Sequence, residues 1–255
     1  MKSKLIILGC GSSVGVPRID NYWGNCKKKK INVRTRCSAI LIKGSNYILI
    51  DASPDIKKHF LSNKIEDVSS VLLTHKHADQ TLGLFELRPF FWKYNKRINI
   101  YTDQNTIKYL KYSQKYLFKK TSGYVPILKA NKVKKNFSLG KSKDKIKITS
   151  VSATHGNIKS LIYVFNKTAY ISDCNDLSIV YLDILKNLNY LILDCLKFSK
   201  HPSHFNLEEA LYVSKCLKAK KTILTNLHYD MDYDYLLKIL PKNVIPAYDG
   251  LSLKL

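Results

Sequence analysis

Each half of this chain carries a tight apolar hairpin, and each hairpin is followed by strands that alternate with helical patterns. In the first half, Ser38–Ile42 and Tyr47–Ile50 flank the turn Gly44-Ser45-Asn46. In the second, Leu161–Phe165 and Ala169–Ile171 flank Asn166-Lys167. A hairpin is antiparallel, whereas a strand–helix–strand unit is parallel. The chain therefore has to build mixed sheets, and a doubly wound parallel sheet would leave the hairpins unexplained. We expect an α/β (α+β) fold with two mixed sheets packed together and helices outside, forming one domain over residues 1–255.

The periodicity also places the smaller pieces. Leu5–Leu8 is a first strand ending at Gly9. Pro54 opens a helix with Ile56, Phe60 and Leu61 on its buried face, and His59 on the surface. Val71–Leu73 and Ile98–Tyr101 are strands, and Asp103 caps the helix after the second. Residues 131–144 are charged and read as a surface loop. Strands at Ile146–Val151, Tyr190–Leu193 and Thr222–Leu224 then alternate with helices from Leu177, at Leu207–Leu217 and near Tyr233–Ile239. The last strand lies around Val244–Ile245.

Composition excludes several classes. With 255 residues, 45% hydrophobic and 24% charged, the chain can bury a core and is neither disordered nor a small disulfide scaffold. Its apolar runs are far shorter than the ~20 residues that span a bilayer, so no membrane is expected and the location is read as cytoplasmic. The six cysteines form no C-x-x-C pair and read as reduced, mostly buried thiols. The net charge of +24 favours anionic partners. However, only five of the 43 basic residues are arginines, the residue that forks phosphate best. The lysines look like codon bias from an AT-rich genome, and the run Lys27-Lys28-Lys29-Lys30 reads as a solvated loop. A nucleic-acid partner is not favoured over a small anionic substrate.

The segment Val71-Leu72-Leu73-Thr74-His75-Lys76-His77-Ala78-Asp79-Gln80 carries the chemistry. A buried strand leads into a turn with His, His and Asp at alternate positions. In extended chain these share a side, so His75 and His77 can face one metal ion. Asp79 then opens a helix from which its carboxylate can reach a second. Imidazole with carboxylate suits zinc, manganese or iron.

This segment resembles the H-x-H-x-D-H signature of the metallo-β-lactamase superfamily. Gly9-Cys10-Gly11-Ser12-Ser13, Gly15-Val16-Pro17, Arg36-Cys37-Ser38, Ser53-Pro54-Asp55 and Tyr248-Asp249-Gly250 resemble its PhnP-like branch, that of phosphoribosyl cyclic-phosphate phosphodiesterases. The resemblance spans nearly the whole chain and implies a four-layer αββα sandwich with a metal site at one edge of the sheets. It implies Zn²⁺ or Mn²⁺, one or two ions per chain. His75, His77 and His155 match the first metal's ligands, Asp173 the bridging carboxylate and Asp79 a second-metal carboxylate with a catalytic role. His204 matches the general acid of the related phosphodiesterases and tRNA 3′-end nucleases.

Two positions depart from the pattern. Gln80 and Asn226 stand where the family has second-metal histidines. His228, two residues beyond Asn226, is the spare imidazole that would supply the lost nitrogen if the strand stays extended. Asp51 either steadies a ligand imidazole or caps the helix at Pro54. Arg34, Arg36 and Arg88 are candidate phosphate binders.

The function expected is hydrolysis of a small, cyclic phosphodiester through a metal-bound hydroxide. One alternative is a tRNA 3′-end-type endoribonuclease. Another is a non-catalytic metal-binding or sensing protein with a degenerate second site. Monomer and homodimer both remain open.

Overall fold

The computed structural model describes residues 3–121, 123–140 and 142–255. The chain first lays down β1 (Lys4–Gly9), β2 (Ser38–Lys43), β3 (Asn46–Ile50), β4 (Ser70–Leu72), β5 (Ile98–Thr102) and β6 (Leu128–Lys132). Then come β7 (Asn136–Leu139), β8 (Ile146–His155), β9 (Ile158–Phe165), β10 (Thr168–Ile171), β11 (Tyr190–Asp194), β12 (Lys221–Thr225), β13 (Val244–Pro246) and β14 (Leu251–Lys254). One sheet has the order β14-β1-β2-β3-β4-β5-β6, and the other β13-β12-β11-β10-β9-β8-β7. The two share one design. In each, antiparallel hairpins occupy one side and three parallel pairings the other: β3–β4–β5–β6 and β10–β11–β12–β13.

The layers follow from period-two alternation in strands buried on both faces. Leu5 and Ile7 of β1 point between the sheets, where they meet Ile48, Ile50, Tyr163, Phe165, Tyr170, Ile192 and Ile223. Ile6 and Leu8 point the other way. They pack with Ile56 and Phe60 of α1 (Ile56–Asn63), Leu110 of α4 (Gln104–Ser113) and Leu117 of α5 (Lys115–Phe118). Between α1 and α4 lie α2 (Ala78–Thr81) and α3 (Arg88–Tyr94). The outer face of the second sheet is covered by α6 (Leu182–Leu185), α7 (Leu207–Leu217) and α8 (Tyr233–Ile239) through Leu185, Ala210, Leu217 and Leu236. The result is the αββα sandwich. Each fully buried Leu or Ile in these layers contributes about 1.5–3 kcal/mol.

Local signals explain the helix starts. Asp103 accepts hydrogen bonds from the Asn105 and Thr106 amides ahead of α4. Asn206 and Glu209 form a reciprocal capping box at α7. All six cysteines are free, and only Cys216 is exposed. Among the described residues no helix is long and apolar enough to cross a membrane.

Several expectations need correction. Helix α1 begins at Ile56, and its inner face is Ile56, His59 and Phe60; His59 is buried and Leu61 is 72% exposed. At 100° per residue Leu61 falls on the opposite side from Ile56, whereas His59 and Phe60 flank it. Residues 131–144 include the end of β6 and all of β7, not only loop. Both are half-solvated edge strands; β6 carries Lys129 and Lys132, which mask its alternation and guard that edge, and β7 is only four residues long. After Leu177 the chain forms only a short 3₁₀ turn and then α6. β14 is a further strand that pairs antiparallel with β1.

Candidate metal centre

Parallel strands from both sheets end at one edge, and the site is built on those ends. From the first sheet, β3 runs into Asp51 and β4 into His75 and His77. From the second, β8 ends at His155, β10 leads to Asp173, β11 ends at Asp194 and β12 leads to Asn226. Gly83 lets α2 close against the β3–α1 turn. Its amide donates to the Ala52 carbonyl at 2.8 Å, and a Cβ there would collide with the Ser53 carbonyl oxygen.

Three imidazoles converge. His75 Nε2 lies 2.9 Å from His77 Nδ1, and His155 Nε2 lies 3.3 Å from the same atom. Outer partners fix two of the tautomers. His155 Nδ1 donates to the Ser203 carbonyl at 2.7 Å. His75 Nδ1 donates to Thr74 Oγ1 at 3.0 Å, and that hydroxyl donates to the buried Asp51 carboxylate. Nε2 of each ring is thereby left as a lone pair turned toward His77. Burial pushes His75 down to about 3 and also lowers His77, so both are neutral donors. His77 Nδ1 carries at most one hydrogen, which can be directed at one of these lone pairs but not at both, so a cation among the three nitrogens satisfies the cluster better than a proton does. Ligand nitrogens on a tetrahedral Zn²⁺ at ~2.0–2.1 Å would be about 3.3 Å apart, which matches this spacing. The residues present therefore fit a divalent ion.

Asp173, 3% exposed, lies beside this cluster, and its ligand atoms fall within 4.8 Å of those of His155 and His204. Burial opposes its charge, but His75, His204 and His155 outweigh that and hold its pKa below the usual carboxylate value. Asp79 lines the same cleft, and burial with the Asp173 charge raises it to about 6. His204 Nδ1 donates to Asp194 at 2.9 Å. Burial would lower His204, but the Asp194 charge prevails and raises it to about 9.

The other candidates lie differently. Gln80 Nε2 and Asn226 Nδ2 each donate to Asp173 at 3.3 Å. His228 lines the cleft, but its Nδ1 meets Asp230 at 3.0 Å and its ring rests on Tyr229. Among the described residues the three-residue metal-holding groups are His75–His77–His155 and His155–Asp173–His204; His228 and Asp79 are in neither. Arg34 is 1% exposed and spent on the Met231 and His228 carbonyls, which takes it away from substrate. Arg88 lies over the Tyr124 ring. Arg36 does border the site. It joins Arg18, Tyr229 and Asp79 around a cleft of ≈ 670 Å³ that shares Ser13, Val14, Ala78, Asp79 and His228 with the pocket over the histidines.

Sequence reasoning missed Asp194, Thr74 and Arg18. Asp194 had a signal, since it ends an apolar strand as Asp173 follows one. Thr74 and Arg18 had none.

Residues 46–229 match the beta-lactamase superfamily domain. This chain belongs to the metallo-β-lactamase superfamily, in its PhnP-like branch. The crystal structure of a new diphosphatase from the PhnP family superposes with a TM-score of 0.90 at 28% identity, covering 100% of this chain and 98% of that one. Zinc-bound PqqB from Methylobacterium extorquens gives 0.79 at 16% identity, with 99% and 100% covered. Human tRNase Z, short form, gives 0.71 at 14% identity, with 98% of each covered. The octanoyltransferase of Porphyromonas gingivalis (strain ATCC BAA-308 / W83) is 30% identical over 254 residues, which is 98% of this chain and 51% of that protein. The chain thus spans about half the length of the curated relative it matches.

Proposed function

We propose that this superfamily member is a metal-dependent hydrolase of a small phosphodiester. His75, His77 and His155 would hold the ion. When bound, such a cation makes water a nucleophile near neutral pH and offsets charge on the phosphoryl group. Asp79, raised to about 6, takes the proton that the attacking water gives up. Asp194 fixes His204 Nδ1 and keeps the ring charged, so His204 Nε2 is the atom that gives a proton to the leaving oxygen. One P–O bond forms and one breaks, and the two protons balance.

The observation that carries this reading is the cleft joined to the histidine cluster. Two arginines, Arg18 and Arg36, border it. Arg36 meets Asp55 through Nε, whereas Arg18 lies over Tyr22 and Tyr229 with its guanidinium forked onto Asp20. The Arg36 guanidinium, in a cleft that Tyr229 also lines, suits a phosphate attached to a flat or sugar-like group. The likeness to a PhnP-family diphosphatase supports phosphorus chemistry.

The test is a substrate panel on the Zn²⁺- and Mn²⁺-loaded chain. It contains a bis-aryl phosphodiester, small cyclic phosphodiesters, a tRNA precursor, a lactone and an octanoyl thioester. The last is included because the Porphyromonas relative is an octanoyltransferase. Turnover confined to small phosphodiesters, with KM raised roughly tenfold or more by Arg36→Met, is the expected result. Turnover of the thioester or tRNA alone would refute it.

A further inference from the structure

We propose that the centre holds a single metal ion, and that the amides of Gln80 and Asn226 take the place of a second. This rests on the metal-centre reading above and concerns only how many ions that centre accepts.

Asp173 is the carboxylate that two ions would have to share, and both its oxygens are already engaged. Oδ2 accepts from Gln80 Nε2 and Oδ1 from Asn226 Nδ2, each at 3.3 Å. The donors are themselves buried, Gln80 at 1% and Asn226 at 3% exposure. Asn226 gives its other hydrogen to the Ser172 carbonyl at 3.1 Å. Its contact with His204 Nδ1 is not a further hydrogen bond, since that nitrogen donates to Asp194.

An amide nitrogen is not a metal ligand, because its lone pair is delocalised into the carbonyl. Imidazole keeps an in-plane lone pair and is one. Gln80 and Asn226 could bind a cation only through oxygen. That requires both amides to turn over, releasing the bonds to Asp173 and Ser172 and setting two carbonyl oxygens against the carboxylate. The buried Gln80 Oε1 has no hydrogen-bond partner of its own, so the Nε2 contact with Asp173 is what orients this amide. Two N–H donors thus do for the buried Asp173 charge what a cation would otherwise do.

Nothing nearby restores a ligand set. His228 is turned to Asp230, and its backbone amide is tied to the Leu196 carbonyl. The group His155–Asp173–His204 is not independent, since His155 Nε2 already faces His77 and His204 Nδ1 is held by Asp194. A second ion would have Asp79 and a share of Asp173, short of the four ligands that Zn²⁺ takes. The backbone does not force the substitution. Asn226 has φ +63, a left-handed conformation that Asn and His both tolerate, so the amide is a choice about the side chain.

The experiment counts metal in the full chain, grown in metal-replete medium and dialysed, after separate additions of Zn²⁺, Mn²⁺ and Mg²⁺. One equivalent by elemental analysis is expected, with Co²⁺ absorption bands that saturate at one equivalent. Gln80→His/Asn226→His should take two. Should that variant fail to fold, Gln80→Glu with Asn226→Asp keeps the side-chain shapes and supplies ligand oxygens, and it should also take two. Two equivalents in the wild-type chain would overturn the single-ion proposal and leave the metal centre standing. No bound ion would overturn the metal-centre reading itself. One equivalent in a folded variant would show that the amides are not what excludes the second ion.

Discussion

Replacing Thr74 with valine tests whether the chain of contacts from Asp51 to His75 is what readies the site for metal. Valine has nearly the same shape and removes only the hydroxyl. That hydroxyl lies 3.0 Å from His75 Nδ1 and donates to an Asp51 carboxylate that is fully buried. Its loss strands one buried group, the Nδ1–H of His75, and removes a hydrogen bond from the Asp51 carboxylate, which keeps the Thr74 amide at 2.8 Å. The stranded group costs about 1–3 kcal/mol and the lost bond to a charged group about 1.5–3 kcal/mol, so destabilisation of about 2.5–6 kcal/mol is expected. A second effect is specific to metal. With no acceptor for Nδ1–H, the His75 proton can move to Nε2 and block the ligating lone pair. Loss of such a support typically costs 10–100-fold in metal affinity. Urea unfolding of the metal-free chain gives the first quantity, and chelator competition for Zn²⁺ on the folded variant gives the second. If Thr74→Val lost stability but bound Zn²⁺ as tightly as the wild type, the relay would be packing alone and the tautomer argument would fail.

His75→Ala and His155→Ala should each abolish turnover and at least halve the Zn²⁺ bound after dialysis, because each removes one of three converging nitrogens; full metal content in either would show that the ligand assignment is wrong. Changing Lys27, Lys28, Lys29 and Lys30 together to Gln should leave kcat on a small phosphodiester within about twofold, since Lys29 makes only an exposed pair with Asp234; a large drop in a kinetic assay would place this run on the substrate. His59→Gln should flatten acid denaturation. Burial lowers the His59 pKa from 6.5 to about 4, so between those values the unfolded chain binds a proton that the folded chain refuses. Wild-type stability should therefore fall by about 3 kcal/mol as pH drops through that window, at 1.36 kcal/mol per pKa unit. Urea midpoints at pH 7 and pH 4 for both proteins check this, and identical pH slopes would refute it.

The parts of the molecule visible in the sequence were those with a strong local signal. Hairpin turns, the buried runs at β4, β11 and β12, and the capped helices α4 and α7 all carry such signals, and the structure has each of them. His75 and His77 were grouped by spacing alone, and the structure brings them together with His155, whose place came from the family pattern. What was not legible depended on neighbours distant in sequence. Edge strands β6 and β7 are polar because one side meets water, so their pattern mimics a loop. His59 is buried against Thr35, whose Oγ1 lies 2.7 Å from its Nε2 and which belongs to a segment 24 residues away. Arg34 had the chemistry of a phosphate binder, but carbonyls contributed by residues 228 and 231 engage it first. His228 lies on a turn after β12, not on an extended continuation of it, and there Asp230 is its nearest acceptor.

The two sheets also explain why metal binding and folding should be linked in this chain. His75 and His77 stand at the end of a strand in the first sheet, whereas His155 and Asp173 belong to the second. No segment of the unfolded chain holds all three nitrogens together, since His77 and His155 are 78 residues distant in sequence. A cation that binds across them acts as a staple between the layers and binds the folded state more tightly than the unfolded chain. At a free concentration of about 100 times its Kd it would add about 2.7 kcal/mol to stability. That is comparable to fully burying one large side chain. In the metal-free cluster one Nε2 lone pair is left without a proton from His77, a local cost that the rest of the interface carries. Both sheets supply that interface, with Tyr163, Phe165 and Tyr170 packed against Ile48 and Ile50. The site can carry that local cost because this apolar packing, not the site, holds the sheets together.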